Sequence, residues 1–278
     1  MPVTFAWVAP HGDEIIEELN PSMNPSEKRL SDAMKQSALQ LFERNPDVIV
    51  LATPHNLRIL NHIGIITTQY TEGTLSSGKK TISLKLTCER TFANKLYELA
   101  TKEKLPVVAV NYGTSEGEAS SMCMDWGTFI PLWFVKKVYD EQNKEMPPIV
   151  LITPSREIPW SHLVRLGELI VDLSNVLKKN VAFIASADQG HAHDPKGPYG
   201  FDEASENYDT FVQEIIKEDK LEKLLALESD FLEKAKPDSF WQMLILLGVI
   251  NKEPSLKHDL VVYECPSYFG MLVATFHE

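Results

Sequence analysis

The amino-acid sequence predicts an α/β fold, in which a central, mostly parallel sheet is flanked by helices and joined by a smaller antiparallel β-excursion. Short apolar runs bounded by breakers, such as 107–110 and 149–152, are typical of strands buried on both faces. Segments of helical periodicity alternate with these runs. With 278 residues, 44% of them hydrophobic, the chain can bury one substantial core, and we expect a single domain over residues 1–278.

The strand predictions rest on apolar or alternating residues that lie between breakers. Residues 62–70 and 81–88 alternate and are rich in β-branched side chains, and the glycine-containing segment between them predicts the antiparallel excursion. The other predicted strands are continuous apolar runs. In chain order, the predicted strands are 3–9, 48–53, 62–70, 81–88, 107–110, 149–152, 181–186, 260–264 and 268–276.

The helix predictions rest on capping residues and on the helical period. Asn24, Pro25 and Glu27 have the spacing of a helix start, with a capping side chain, a proline at the first helical position and a carboxylate at the third. Apolar residues then recur on one face as far as Leu41. The predicted helices are 25–44, 161–177, 206–217 and 238–247.

Composition excludes several classes of protein. A net charge of −12 argues against a nucleic-acid partner, because phosphate binding needs clustered Lys and Arg. The three cysteines, Cys88, Cys123 and Cys265, have no paired spacing and predict neither a disulfide framework nor a cysteine zinc site. No apolar run approaches the roughly 20 residues of a membrane span, and the first residues lack a signal-peptide pattern. We therefore expect a cytoplasmic protein without a membrane partner.

Histidines follow three of the predicted buried strands. His11 and His55 each come directly after a proline that ends an apolar run, and the run 181–186 leads into a loop that carries His191 and His193. The loops at the carboxyl ends of parallel strands converge on one crevice, where ligands usually bind. We expect these imidazoles to lie close together.

Two imidazoles and a carboxylate form a ligand set suited to iron, zinc or copper, with coordination positions left for substrate. Glu264 is the candidate carboxylate, because it ends a predicted strand directly before a Cys-Pro break. The opposing interpretation is that each histidine is an ordinary loop or core side chain and that Glu264 is a solvated acid at a strand end. Residue pattern alone leaves both interpretations open.

Five segments together resemble the class III extradiol ring-cleavage dioxygenases, the superfamily of the catalytic beta subunit of protocatechuate 4,5-dioxygenase and of 2-aminophenol 1,6-dioxygenase. The similarity extends from residue 11 to residue 271. The segments are His11-Gly12, Thr53-Pro54-His55-Asn56, 124–132, 186–193 and 263–271.

The resemblance implies a catalytic domain that uses non-haem iron, Fe(II), to open the ring of a catechol or a 2-aminophenol outside its two ortho substituents. By this resemblance, His11, His55 and Glu264 bind the iron, and His191 is the catalytic acid/base. The implied partners are a small aromatic substrate and O2. A homodimer, or pairing with a related second subunit, is the implied assembly.

The chain departs from the family pattern at two positions. Trp126 stands where relatives often carry a histidine, so any role of that imidazole is absent here. His193 is a second histidine in the loop of His191, which is more similar to the aminophenol-cleaving branch. We predict that His193 binds substrate, with orientation of His191 or simple packing as alternatives.

Rival functions fit part of the same pattern. The same two-His-one-carboxylate site could hold zinc and activate water for hydrolysis. The chain could also be a non-catalytic binding or signalling protein on this fold, or the partner subunit of a dioxygenase, because a fold alone does not establish an activity. The presence of both Glu264 and His191 favours the catalytic interpretation.

Overall fold

A computed structural model of the protein describes residues 2–278 and has an eight-stranded central sheet and a three-stranded second sheet. The strands are β1 (Val3–Ala9), β2 (Val48–Ala52), β3 (Ile63–Ile66), β4 (Tyr70–Ser77), β5 (Lys80–Thr87), β6 (Val107–Val110), β7 (Ser121–Cys123), β8 (Ile149–Thr153), β9 (Val181–Ser186), β10 (Lys257–Glu264) and β11 (Met271–His277). The helices are α1 (Pro25–Glu43), α2 (Arg90–Lys102), α3 (Trp126–Glu141), α4 (Trp160–Leu177), α5 (Glu203–Lys217), α6 (Ser229–Ala235) and α7 (Phe240–Lys252).

The central sheet has the order β10-β11-β1-β9-β2-β8-β3-β6. Its middle four strands, β1, β9, β2 and β8, are mutually parallel, whereas β11 is antiparallel to β1 and β3 is antiparallel to β8. The predicted α/β class with a mostly parallel sheet is confirmed. Because β1, β9 and β2 are adjacent and parallel, the loops after them leave the same edge of the sheet, and this edge carries the histidines.

Apolar layers cover both faces of the sheet. Along β9, Phe183 belongs to the layer formed with α2, α4, α5 and α7, and its neighbour Ile184 belongs to the layer formed with α1 and α3. Helices α4 and α7 approach closely through Gly167 and Gly248, where a Cβ atom would collide with the backbone of the opposing helix. This tight packing fixes the position of α7 relative to the sheet.

The smaller sheet differs from the predicted excursion in its boundaries. Its hairpin pairs β4 with β5 around a turn at Gly78, whose φ of 61° is the left-handed conformation that glycine adopts readily. Strand β3, predicted to belong to the hairpin, instead joins the central sheet, because all of its residues are buried. The third strand, β7, runs parallel to β4.

The helix predictions are confirmed for α1, α4, α5 and α7, with shifts at their ends. Asn24 caps α1, and its side chain accepts hydrogen bonds from Ser26 N and Glu27 N. Helix α3 was not predicted from the sequence. It contains Pro131 and is apolar on nearly every face, so it lacks the amphipathic pattern that indicates a helix. In the described part of the chain, residues 2–278, no helix has both the length and the apolar character that a membrane crossing requires.

Candidate metal centre

The structure brings His11 and His55 together with Asp238. The two Nε2 atoms lie 3.0 Å apart, and Asp238 Oδ2 lies 2.9 Å from His55 Nε2 and 3.2 Å from His11 Nε2. Among the described residues, 2–278, His11, His55 and Asp238 are the group of His, Cys, Asp and Glu side chains whose ligand atoms lie close enough together to hold one metal ion. His11 and Asp238 are buried, and His55 is partly exposed. The two predicted histidines therefore meet, with a carboxylate that the sequence did not reveal.

The backbone around the site directs Asp238 toward the histidines. Asp238 lies just before α7, and its Oδ1 accepts a hydrogen bond of 2.9 Å from Asp188 N, in the loop after β9. Asp188 Oδ1 in turn accepts a 3.1 Å hydrogen bond from His11 N. With its Oδ1 engaged in this way, Asp238 presents Oδ2 to both imidazoles. The loops after β1 and β9 and the start of α7 are thus held as one unit.

A hydroxyl behind His11 fixes which ring nitrogen faces the cluster. Ser186 Oγ donates to the carbonyl of Gly127 at 2.6 Å, so this oxygen accepts from His11 Nδ1–H, 2.9 Å away. The neutral ring then has its lone pair on Nε2, directed at His55 and Asp238. Gly127 permits the close approach, because a Cβ there would lie 2.6 Å from the hydroxyl of Thr53.

His55 is held by a ring contact and by an ordered loop. Its imidazole stacks on Trp126 with ring centroids 4.3 Å apart and planes inclined by 28°. Asp125, the N-cap of α3, accepts hydrogen bonds from Thr53 Oγ1 at 2.7 Å and from Asn56 Nδ2 at 3.0 Å. Trp126, the departure from the family pattern, therefore lies against a candidate metal ligand and supports its orientation.

The buried side chains of the cluster shift one another's pKa values. Burial lowers the pKa of His11, but the carboxylates of Asp188 and Asp238 outweigh it and raise that pKa to about 9. Burial raises the pKa of Asp188 to about 7. Burial would also raise the pKa of Asp238, but the positive charge of His11 and the hydrogen bonds from both histidines lower it below its ordinary range. Asp238 is thus an ionised ligand, and a divalent metal can replace the protons that balance it.

The three candidate ligand atoms lie close enough together to contact one metal ion. The observed sides of the triangle are 2.9, 3.0 and 3.2 Å. The donor set therefore fits a two-His-one-carboxylate centre with one face open.

Glu264, the predicted carboxylate ligand, lies elsewhere. It ends β10, which is separated from β1 by β11, a displacement of about 10 Å at the usual spacing of strands. Its carboxylate pairs with Arg29 of α1, and this hydrogen bond lowers the pKa of Glu264. The carboxylate that the structure places beside His11 and His55 is that of Asp238 and not that of Glu264. No local signal marks Asp238, which reads in the sequence as an ordinary acid near a helix start.

His191 lies beside the cluster without joining it. Its Nδ1–H donates to the carbonyl of Gln189 at 2.7 Å, which leaves Nε2 as the free acceptor, 3.9 Å from Asp238 Oδ2. The ring stacks on Phe269 with centroids 5.3 Å apart. Burial lowers the pKa of His191, so its neutral form is favoured. This geometry suits a proton acceptor that faces a bound substrate.

His193 points into a buried network. Its Nε2–H donates to Asp209 Oδ2 at 2.8 Å, and Tyr263 Oη donates to the same oxygen at 2.7 Å. Asp209 Oδ1 accepts from Gly190 N at 2.7 Å. His193, predicted to bind substrate, lines neither of the two cavities described next, and it ties the loop of His191 to α5 and β10.

Two cavities adjoin the cluster and share His55, His191 and Tyr199. The first, the aromatic cavity, measures about 540 Å³ and is walled by Trp126, Tyr199, Tyr268 and Phe269. The second, the basic cavity, measures about 510 Å³ and is lined by Arg58, Arg156, Lys236, Trp160 and Trp241. Both volumes lie in the usual range for small-molecule sites.

Comparison with known proteins supports a family assignment. A family model described as the catalytic LigB subunit of aromatic ring-opening dioxygenase matches residues 6–274. Protein CA_C1420 of Clostridium acetobutylicum is 24% identical over 259 residues, covering 93% of this chain and 54% of that protein. The chain thus spans about half the length of this curated relative. The crystal structure of uncharacterized protein JW3007 from Escherichia coli K12 shares the fold, with a TM-score of 0.59, 15% identity and coverage of 98% and 99% of the two chains.

Proposed function

This chain belongs to the family of the catalytic LigB subunit of aromatic ring-opening dioxygenases, and we propose that it opens the ring of a catechol or 2-aminophenol outside its two ortho substituents. The proposed reaction inserts both atoms of O2 and depends on iron(II). The observation that carries the proposal is the triangle of His11 Nε2, His55 Nε2 and Asp238 Oδ2, with sides of 2.9 to 3.2 Å.

The proposed metal would be held by His11, His55 and Asp238. Two neutral imidazoles and one carboxylate suit iron(II) and leave about three coordination positions for a bidentate substrate and O2. When bound, iron(II) supplies a shared site at which the electron-rich ring and O2 meet and exchange electrons. Ser186 and Asp188 support this role, since they orient His11 and Asp238 from behind.

We assign the proton transfers to His191. Its Nδ1–H is committed to the Gln189 carbonyl, so Nε2 accepts a proton from the second hydroxyl or amine of the substrate. The lowered pKa of His191 keeps the ring neutral before substrate binds. Once protonated, the same nitrogen can return the proton to oxygen as the ring opens, and such transfers contribute roughly 100-fold to 10,000-fold to a rate.

The aromatic cavity provides the surfaces for the substrate ring. Trp126, Tyr199, Tyr268 and Phe269 present faces and edges on which an aromatic ring can stack.

Oxygen uptake tests the proposal directly. The protein is purified without oxygen, loaded with iron(II), and mixed with a panel of catechols and 2-aminophenols while O2 and visible absorbance are followed. We expect equimolar consumption of O2 and substrate with a coloured ring-opened product, and no uptake by zinc-loaded protein. Absence of uptake across the panel would overturn the proposal, and ester or amide hydrolysis by the zinc form would favour the hydrolase alternative.

A further inference from the structure

Arg156 is a partly buried cation that lies over the ring of Trp241, 4.4 Å from the ring centroid. Among residues 2–278 no carboxylate lies within ion-pair distance of its guanidinium, and the charges of Asp238 and Glu157 act on it only from farther away. Burial lowers the pKa of Arg156, which reflects the cost of removing the charge from water. A cation–π contact offsets only part of this cost. The side chain is therefore poised to receive an anion.

Two more cations line the same cavity. Arg58 likewise has no ion pair within the described chain, and Lys236 Nζ donates only to the backbone carbonyl of Glu233 at 3.2 Å. The other arginines are engaged elsewhere: Arg29 with Glu264, Arg44 with His277 and Glu278, Arg90 with Glu116, and Arg165 with Glu103 and Glu168. In a protein of net charge −12, the two unpaired arginines face one cavity.

The basic cavity is continuous with the candidate metal centre. Besides the three cations, it is lined by the histidines His55 and His191 and by the acidic residues Asp238 and Glu233. The aromatic cavity on the other side is lined by the acidic residues Asp13, Glu14 and Asp188, and no lysine or arginine of the described chain lines it. The cations therefore favour the basic side for an anionic group attached to a ring bound at the metal.

We propose that the basic cavity is a subsite for a carboxylate carried on a side chain of the aromatic substrate, with Arg156 and Arg58 as its receptors and Lys236 at its rim. This inference rests on the proposed function, since the ring itself is assigned to the metal. The planar guanidinium of Arg156 can donate two parallel hydrogen bonds to a carboxylate while its face stays on Trp241. Charge-assisted bonds of this kind correspond to roughly tenfold or more in affinity.

Binding without turnover separates the subsite from the reaction. Zinc-loaded protein, kept free of oxygen, is titrated calorimetrically with 3-(3,4-dihydroxyphenyl)propionate and with its methyl amide, which has the same ring but no charge. We expect the acid to bind the wild type about tenfold or more tightly than the amide. Arg156→Gln and Arg58→Gln should each reduce this preference by several-fold, with unchanged metal content and amide affinity. Arg156→Lys should retain part of it.

Arg165→Gln is the matched control, because it removes an equal charge from a remote ion-pair group and should leave the preference unchanged. Equal affinity of the wild type for acid and amide, or an undiminished preference in both Arg156→Gln and Arg58→Gln, would overturn the subsite. A preference for the acid combined with no oxygen uptake by the iron form would retain the subsite and overturn the proposed dioxygenase reaction.

Discussion

The two cavities that meet at His55 and His191 differ in charge and in wall chemistry. The aromatic cavity has acidic side chains, among them Glu14 and Asp188, behind stacked rings. The basic cavity presents Arg58, Arg156 and Lys236. The candidate metal centre lies on the boundary, so its ligands experience carboxylates on one side and cations on the other. This asymmetry would fix the direction in which a ring with one charged substituent can bind, without any contact to the ring atoms that react.

Replacement of the shared base should have the largest effect. His191 belongs to both cavities, and its Nε2 lies 3.9 Å from Asp238 Oδ2 without being one of the three ligand atoms. We expect His191→Ala to keep its metal and to lose turnover by about 100-fold to 10,000-fold, because proton transfer is lost. Metal analysis and steady-state oxygen uptake measure the two effects. Full uptake by His191→Ala would remove this residue from the mechanism.

Ser186→Ala should weaken the metal site from behind. The hydroxyl of Ser186 accepts from His11 Nδ1–H and so holds Nε2 toward the cluster. Loss of such a supporting hydrogen bond typically costs about 10-fold to 100-fold in metal affinity. Competition with a chelator gives the affinity. Ser174→Ala serves as a control, since that buried hydroxyl bonds only a helix carbonyl in α4; equal metal affinity in the two variants would contradict the support assigned to Ser186.

Glu14→Gln tests whether the aromatic cavity contributes to the preference for a charged ring probe. Glu14 lines the aromatic cavity, and burial raises its pKa. The substitution leaves the three cations of the basic cavity in place. We expect the ratio of affinities for the charged and uncharged ring probes to change by less than about threefold, against about tenfold or more for a cation of the basic cavity. Calorimetry on zinc-loaded protein gives both ratios. A larger change in Glu14→Gln than in Arg156→Gln would reverse the assignment of the two sides.

The smallest predicted effect concerns stability and pH. The hydrogen bond that His193 donates to Asp209 raises the pKa of His193 from 6.5 to about 10. Below pH 6.5 the folded and unfolded chains are both protonated here and the pair stabilises the fold fully; between pH 6.5 and about 10 only the folded chain keeps the proton, so this contribution declines. We expect the melting temperature of the wild type to fall across this window by about 2–4 °C more than that of His193→Asn, because solvent screens this partly exposed pair. Identical pH profiles would contradict the pairing.

The residues that follow central strands were predictable because their signal is local. An apolar run that ends in Pro-His places the imidazole at a strand end, and adjacency of β1, β9 and β2 brings the ends together. Strand order is not local. Glu264 also ends a strand, but β11 lies between β10 and β1, and Arg29 of α1 pairs with the carboxylate instead.

Asp238 was not predictable for the opposite reason. Nothing in its neighbours distinguishes it from a helix-start acid, and its position depends on the packing of α4 against α7 through Gly167 and Gly248. The same limit applies to Arg156, whose role depends on a cavity formed by distant segments. The local sequence pattern predicts which side chains lie at the end of a strand. Which of these side chains contact one another depends on the packing of segments that are distant in the sequence.

The identity of the carboxylate ligand is the most direct test of the account. Iron content is measured after anaerobic reconstitution of the wild type, Asp238→Asn and Glu264→Gln. The account predicts about one iron per chain in the wild type and in Glu264→Gln, and less than about a tenth of that in Asp238→Asn. The reason is that a metal site loses most of its affinity when a charged ligand is removed. Retention of iron by Asp238→Asn together with its loss from Glu264→Gln would contradict the centre described.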